Sequence, residues 1–459
     1  MKRIHQPLLA SILLTFAMAS SPASGQDPPD GERRLSLPDA VALALENSPA
    51  LNAERARAAG SRERQGAARA DYRPQASFQA NATQFEDPMI VTPIHGFAEG
   101  AVPFFDDLLI QSTLNVELLL YDGNARHAAA RRARAESEAA TDAVNDARSR
   151  VIADSVVAYL DLLGSRGILE AQDLRLAALR LERERMRALY AVGRIAEVEV
   201  LRLDAAVARD EAERSLRSTD VDNARQDLAR LLGLGEESVS GEMLSAQALR
   251  DEDPPSREAL LALAKARNRR ILQAAKRLEA AEAGVAVARS VRKPKLSASA
   301  NVTDFGSAEL DFTTEWATGL RLSVPLYLGG RTARRIAEVG AARDEAEQEL
   351  HALERRIASA VDHAHGAWLA AVERETSLEA AVRGFKAVAA SEKLKLETGT
   401  GIPADFLDSE ADLLEARASR VIAANAVVLS RVALAEILGE LDEAWIVRHI
   451  GEVTSVHTR

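Results

Sequence analysis

The stretch "YAVGRIAEVEVL", Tyr190 to Leu201, places a glycine between two long alanine-rich segments with a helical pattern. A related stretch, "LETGTGIPADFL", follows 206 residues later, at Leu396 to Leu407. Glycine weakens a helix interior and is the usual residue where a helix ends. Each stretch therefore predicts a turn at which one long helix stops and a second helix begins.

The two turns belong to an internal duplication. "AVALALENSPAL" (Ala40 to Leu51) corresponds to "LLALAKARNRRI" (Leu260 to Ile271) at an offset of 220, and "LARLLG" corresponds to "LAEILG" at an offset of 206. A constant offset on each side of one insertion indicates two copies of a single unit. The predicted parts are a first copy at 35–233, a linker at 234–256, a second copy at 257–439 and a C-terminal tail at 440–459.

Each copy has the same predicted order of elements. A helix of about 35 residues, Pro38 to Arg73 in the first copy, ends where a proline follows. Two segments of alternating polarity come next, and then a helix from Asn124 to Val192 that would span roughly 100 Å. The last helix ends at Gly233, as its counterpart ends at Gly439. Two shorter helices stacked end to end match the long helix, which predicts antiparallel rods of equal length.

The four alternating segments predict β-strands with two different faces. One face is apolar and the other carries Ser, Asn, Gln and Arg, which is typical of a membrane strand between lipid and a wet lumen. A soluble two-sided hairpin is the alternative. The apolar positions are Ala76, Phe78, Ala80, Ala82, Leu114, Val116, Leu118, Leu120, Leu296, Ala298, Ala300, Val302, Trp316, Leu320, Leu322 and Val324.

The N-terminus predicts export. Lys2 and Arg3 precede a short apolar run and small residues, so residues 1–25 are expected to be a cleaved signal peptide; the alternative is a buried first helix. No later stretch approaches the roughly 18 consecutive apolar residues of a membrane helix. If the chain spans a membrane, it does so with strands, and four strands cannot close a barrel. A dimer with eight strands or a trimer with twelve would satisfy this constraint.

Composition and motifs exclude several classes of function. The absence of cysteine rules out disulfides and thiolate metal sites, and a net charge of −11 without a basic stripe argues against a nucleic-acid partner. No Walker loop, nucleophile elbow or zinc-protease motif is present, so neither an enzyme nor a cofactor site is expected. His363 and His365 lie two apart on a predicted helix and do not share a face, which disfavours a metal site.

These features together resemble the TolC family of outer-membrane efflux proteins. The signal peptide, the duplicated order of elements, "LYDGNAR" and "LYLGGRTA" after the second strand of each copy, and the glycine turns carry the resemblance over residues 35–439. It implies a mainly helical fold with a small transmembrane β part. Three subunits would form a 12-stranded β-barrel continued by a periplasmic α-helical barrel. The linker and the tail would contribute to an equatorial region around the helices.

The resemblance implies a function and partners as well. The protein would be the exit duct, in the cell outer membrane, of a tripartite efflux or type I secretion system. It would form a homotrimer in outer-membrane lipid and bind a periplasmic adaptor that connects it with an inner-membrane pump. The alternative is a periplasmic coiled-coil adaptor or scaffold without a channel. No motif indicates the transported substrate.

The resemblance also assigns roles to the two turns, which would form the periplasmic end of the duct. Asp405 and Asp408 would supply an acidic ring at the aperture, although acids at a helix N-terminus are also ordinary. Gly401 stands where the family often has an arginine that helps to lock the closed state, and Leu396 where it often has a tyrosine; Arg194 and Glu199 are the candidate replacements. The expected adaptor-docking residues are Val192, Gly193, Arg194, Ile195, Thr398, Gly399, Thr400 and Gly401.

Overall fold

The computed structural model describes residues 35–91, 105–235, 245–248, 255–307 and 312–453. The predicted signal peptide lies outside the described residues. The first copy contains α1 (Leu37–Asn47), α2 (Pro49–Ala70), β1 (Gln75–Ile90), β2 (Phe105–Tyr121), α3 (Ala125–Ala191) and α4 (Glu197–Leu232). The second contains α5 (Arg257–Arg267), α6 (Arg269–Ser290), β4 (Lys295–Gly306), β5 (Phe312–Ser323), α7 (Arg331–Glu397) and α8 (Pro403–Leu438). The remaining described elements are β3 (Ser245–Ala248), α9 (Glu443–His449) and β6 (Ile450–Val453).

The predicted long helices are confirmed. α3 and α7 each contain 67 residues, and at 1.5 Å per residue each extends about 100 Å. Each is followed, after a short turn, by a 36-residue helix, α4 or α8. Both of these helices end at a glycine with a left-handed backbone, Gly233 at φ 68° and Gly439 at φ 73°. The two halves of the chain therefore build the same pair of antiparallel rods.

The first helix of each copy is two helices, so the prediction of one continuous helix of about 35 residues was wrong. Ser48 interrupts the first copy because the residue before proline disfavours helical backbone; its Oγ accepts from the Leu51 N–H at 3.2 Å and caps α2. Asn268 interrupts the second copy, and its Oδ1 accepts from the N–H groups of Arg270 and Ile271, both at 3.1 Å. Each break is therefore stabilised by a side-chain cap.

These breaks lie where the composite rods are joined, as the end-to-end stacking predicted. Asn47 Nδ2 donates to the carbonyl of Leu232 at 2.7 Å, and Asn268 Nδ2 donates to the carbonyl of Ile437, also at 2.7 Å. The last carbonyls of a helix have no partner within that helix, so both amides satisfy groups that would otherwise be left unbonded. The same contact in both copies makes the junction a repeated feature of the fold.

The strands form one antiparallel sheet in the order β1–β2–β4–β5. β1 and β2 contain 16 and 17 residues, longer than β4 and β5 with 12 each, and part of the insertion in the first copy lengthens its hairpin. The pairing of β2 with β4 joins the two copies. One register line runs through Phe78, Leu114, Val302 and Trp316, which places the regularly paired apolar positions of all four strands on one face. Of the other predicted apolar positions, Leu120 lies at a register shift and Val324 lies one residue beyond β5.

The segment "LYDGNAR" is the joint between β2 and α3. Asp122 is buried, and its Oδ2 accepts from both the backbone N–H and the Nε–H of Arg126, at 2.8 and 3.1 Å. The guanidinium of Arg126 also lies over the ring of Tyr72, 4.8 Å from the centroid. Asp122 thus caps α3 while Arg126 fastens the helix to the end of α2. The joint fixes the direction in which the long helix leaves the sheet.

Three buried apolar clusters hold the rods together. The largest surrounds Tyr159 and joins α1, α3, α4, α8 and α9, and a second joins α5, α7 and α8. Of the described helices, α8 alone is long and apolar enough to cross a membrane, with a mean hydropathy of 1.9 over its most apolar 18 residues. The valines Val427, Val428 and Val432 of α8 belong to the largest cluster. Its apolarity is therefore explained by packing inside the helical part.

Candidate functional site

The sheet exposes its apolar face. Trp316 and Leu320 are each 72% exposed, and Phe78 is 68% exposed. The opposite face carries hydroxyl and amide side chains, and Thr113 and Thr303 lie across from each other there with their Oγ1 atoms 3.1 Å apart. The edge strands β1 and β5 each pair on one side only. A sheet with one apolar face, one polar face and two open edges has the form of a segment of a membrane barrel.

The two helix turns lie at the opposite end of the rods, and we call them the tip: residues 192–196 and 398–402. In the first turn Gly193 has φ 72°, and its N–H donates to the carbonyl of Tyr190 at 2.8 Å. The N–H of Arg194 donates to the carbonyl of Leu189 at 3.0 Å. A left-handed glycine with this pair of bonds ends a helix sharply, because it satisfies carbonyls that the helix leaves free. The predicted turn is confirmed.

The second turn closes α7 with more bonds. Gly399 has φ 78°, and the carbonyl of Lys395 accepts from the N–H groups of both Thr400 and Gly401, each at 3.0 Å. Thr398 Oγ1 donates to the carbonyl of Leu394 at 3.1 Å. A Cβ at Gly401 would lie 3.0 Å from the backbone nitrogen of Leu396, so the glycine allows the chain to fold closely onto the helix end. The second turn therefore has more hydrogen bonds to the preceding helix than the first turn has, and its backbone lies closer to the helix end.

The two turns share one apolar core. Leu396, at the end of α7, is 5% exposed, and Phe406, in the first turns of α8, is 1% exposed. Both belong to a cluster with residues of the other hairpin, α3 and α4. The first-hairpin members are Leu176, Leu179, Met186, Val200, Leu203 and Val207. The second hairpin is thus packed against the first by two side chains that flank its turn.

Asp405 and Asp408 lie on the exposed side of α8. Both are solvent-exposed, whereas Phe406 and Ser409 between and beside them are buried. Positions three apart on a helix share a face, so the two carboxylates lie together on the surface at the helix N-terminus. Lys395 is a nearby cation: its pKa is raised, chiefly by its hydrogen bond to Glu392 and to a smaller extent by Asp405. The structure therefore presents the acid pair as a surface feature.

Arg194 and Glu199, the two residues of the candidate lock, differ in exposure. Arg194 is exposed, while Glu199 is half-buried and its Oε1 lies 3.4 Å from Arg202 on the same helix. Val192 is 69% exposed, and a Cβ added at Gly193 or Gly399 would meet no atom within 4 Å. The surface of both turns is thus open in this subunit.

Several charged residues of α3 and α4, in the helices leading to the tip, were not found from the sequence. Arg175 and Asp210 form a buried ion pair between α3 and α4, with Nε and Oδ2 2.6 Å apart. Arg185 and the buried Glu182 form a second pair at 3.2 Å, beside Leu396. All four lie in helical segments rich in charged residues. A charged side chain on the buried stripe of a helix would have indicated such a pair, but the many surface charges around these positions made that stripe hard to recognise.

The histidines singled out in the sequence do not converge on one site. His363 is exposed, whereas His365 packs edge-on against Trp368, with ring centroids 6.4 Å apart. Asp362 instead pairs with Arg257, whose Nε lies 2.7 Å from Oδ1. Within the part of the chain that the structure describes, no group of three His, Cys, Asp or Glu residues is arranged to hold a metal ion.

Comparison with known proteins agrees with this architecture. The sequence model of the outer membrane efflux protein family matches residues 40–234 and 260–440, one match in each copy. The outer membrane efflux protein BepC of Brucella suis is 24% identical over 414 residues, covering 88% of this chain and 85% of that protein. Protein CyaE of Bordetella pertussis is 28% identical over 442 residues, covering 91% and 87%.

Solved structures show the same fold. The outer membrane protein VceC of Vibrio cholerae superposes with a TM-score of 0.73 at 21% identity, covering 88% of this chain and 96% of that chain. The alternative of a periplasmic adaptor is not favoured, because both copies match the efflux-protein family. Proteins of this family work with a periplasmic adaptor and an inner-membrane pump in tripartite systems. The chain belongs to the outer membrane efflux protein family: it is an outer-membrane exit duct of an efflux system, and its helices extend into the periplasm.

Proposed function

We propose that the duct is a homotrimer whose twelve strands close one barrel through outer-membrane lipid. The observation that carries this is the four-stranded sheet with unpaired edges at β1 and β5 and an exposed apolar face. Open edges are not tolerated in lipid, so the edge of one subunit must pair with that of the next. Eight strands enclose little more than their own side chains, whereas twelve leave a lumen for a cargo.

The oligomer can be tested on the full-length protein. Detergent extraction of outer membranes should yield a species that migrates as a trimer on a gel until it is boiled. The same species should conduct ions in planar bilayers. A freely soluble periplasmic protein, or a detergent-extracted dimer, would contradict the proposal.

The tip, in this proposal, is both the adaptor-docking surface and the aperture of the duct. The exposed Val192 and the open space at Gly193 and Gly399 support docking, because a partner can reach both turns without displacing this subunit's own side chains. The shared apolar core supports a single gate, because it makes the two turns of a subunit neighbours. Ile195 and Thr398 to Gly401 complete the proposed docking surface.

Asp405 and Asp408 form the proposed acidic ring. Three subunits would bring six carboxylates to the aperture, where like charges raise the local attraction for cations. The exposure of both side chains, with their neighbours Phe406 and Ser409 buried, supports this role over a purely structural one. The helix N-terminus favours the ionised carboxylates in either case.

The Arg194–Glu199 lock stays a prediction. Because Glu199 faces Arg202 within its own helix, a lock would need a changed side-chain position or a neighbouring subunit. The variant Arg194→Ala should increase the mean conductance of the trimer if this lock holds the closed state. A conductance equal to that of the unmodified protein would remove Arg194 from the gate.

The proposed domain organisation has the linker and the tail together in the equatorial region. Pairing of β3 with β6, from Ser245↔Val453 to Ala248↔Ile450, supports this because it joins the two segments in one ribbon. The proposed duct passes its cargo without a chemical step. The adaptor and the pump then determine which cargo enters, and this chain supplies the exit.

A further inference from the structure

A hydrogen bond joins the two hairpins beside the second turn. Arg185, on α3 of the first hairpin, donates through Nη2 to the carbonyl of Leu396, in the last turn of α7, at 2.9 Å. That carbonyl also accepts from the N–H of Gly399 at 3.2 Å. The guanidinium therefore lies at the C-terminal end of α7, where the helix dipole favours a positive charge.

A buried carboxylate orients this guanidinium. Glu182, one turn before Arg185, is 4% exposed, and its Oε1 accepts from Arg185 Nη1 at 3.2 Å. Burial raises the pKa of Glu182, and the adjacent Arg185 opposes that rise. One nitrogen of the guanidinium is thus held by its own helix while the other reaches the second hairpin. An arginine can make both bonds at once because its donors form a planar fork.

The neighbouring arginines of α3 bond within the first hairpin. Arg183 contacts Glu184 on its own helix, with 2.8 Å between Nη2 and Oε1. Arg187 contacts Asp204 on α4 at 2.7 Å. Arg185, in contrast, donates across to the second hairpin. Arg185 therefore differs from the neighbouring arginines in its acceptor, which is a carbonyl of the second hairpin, and not in its charge.

We propose that Arg185 is the positioning residue that holds the second hairpin against the first, and that its bond to Leu396 breaks when the aperture widens. The proposal rests on the proposed role of the tip as the gate. It explains how the tip is held although Gly401 and Leu396 carry no polar side chain. Leu396 supplies its backbone carbonyl to Arg185 and its side chain to the apolar core.

The test compares Arg185→Ala with the matched control Arg183→Ala in full-length trimers. Losing one charge-assisted bond corresponds to about a tenfold shift from closed to open in each subunit. We expect Arg185→Ala to increase open-state occupancy in planar bilayers by that order, with heat-stable trimers retained. Arg183→Ala should leave both the conductance and the trimer unchanged, because its bond does not leave α3.

A second variant keeps the proposal testable if Arg185→Ala fails to assemble. Arg185→Lys retains the charge but cannot make both bonds in the same geometry, so we expect an intermediate open-state occupancy. Conducting trimers of either variant with the occupancy of the unmodified protein would overturn the role of Arg185. Failure of the unmodified protein to conduct as a trimer would instead count against the proposed function itself.

Discussion

Gly439 allows the most direct test of how the rods are joined. It ends α8 at φ 73°, and a Cβ there would lie 2.3 Å from the carbonyl oxygen of Arg267 and 2.8 Å from its carbonyl carbon. Both atoms belong to the backbone at the break between α5 and α6, so no side-chain rotation can relieve the contact. Gly439→Ala therefore combines backbone strain with a steric clash at a junction that is fixed on both sides.

The magnitude follows from adding these two effects. A left-handed backbone costs a non-glycine residue about 1–2 kcal/mol. Forcing extra volume into a packed site costs typically about 1–3 kcal/mol more. We expect Gly439→Ala to destabilise each subunit by about 2–5 kcal/mol, a cost that a homotrimer would incur three times.

Gly193→Ala is the matched control. Its backbone is almost the same, at φ 72°, but a Cβ there would meet no atom within 4 Å. Only the strain of about 1–2 kcal/mol should remain. Gly233→Ala should fall between the two, because its Cβ would lie 2.7 Å from the Cβ of Asn47, a close contact but one with a side chain and less severe than the contact of Gly439 with backbone atoms.

Unfolding of a large membrane oligomer is expected to be irreversible, so the assay compares rates of loss and not equilibrium free energies. The temperature at which half of the trimer band is lost after a fixed time gives the order of stability. We expect the unmodified protein to be the most stable, followed by Gly193→Ala, Gly233→Ala and Gly439→Ala. Equal losses for Gly193→Ala and Gly439→Ala would refute the steric argument, since their backbone strain is the same and the contact with Arg267 is what should separate them.

Three further predictions address the tip and the first turns of α8. Replacing Asp405 and Asp408 together by Asn should weaken block by polyvalent cations in planar bilayers, because the ring loses its charge; unchanged block would exclude the ring. The chain has no cysteine, so Val192→Cys can be labelled alone with a bulky maleimide. Labelling should abolish efflux in cells, whereas labelled Arg230→Cys near the other end of α4 should not; equal effects would argue against docking at the turn. Burial raises the pKa of the Glu410 carboxyl group, so this carboxyl binds a proton more tightly in the folded protein than in the unfolded chain. The folded protein therefore loses stability as the pH rises through the raised pKa. Glu410→Gln should therefore raise the temperature of trimer loss at pH 7.5 and make no difference at pH 4; a gain equal at both pH values would be evidence against this linkage.

The sequence predicted the long helices and the turns because their signals are local. An α-helical stripe and a left-handed glycine depend on residues within one or two turns, and α3, α7, Gly193 and Gly399 are where those signals placed them. The two faces of the sheet were equally predictable, since alternation has a period of two residues. The register lines through Phe78 and Trp316 then follow once the strands pair.

The split of each first helix shows where local signals were insufficient. Proline after Ser48 favours a break, but Asn268 has no such neighbour. Its oxygen caps α6 through local bonds, whereas its amide nitrogen bonds to the end of α8, far away in the chain. An asparagine in a helical pattern reads as a weak helix former, and only the carbonyl that it bonds reveals its use. The contact between Gly439 and Arg267 has the same origin, because it joins residues far apart in the chain.

By itself the sequence determined the duplicated unit, the rods, the two-faced strands and the positions of the turns, because periodicity and turn chemistry are written in neighbouring residues. The tertiary structure alone decided which charges at the tip have partners. Arg185 is one of several arginines in a polar helical run, and its bond to Leu396 exists because packing of the second hairpin brings a helix end to it. Proximity between distant segments is a property of the packed molecule, and the gate proposed here depends on it.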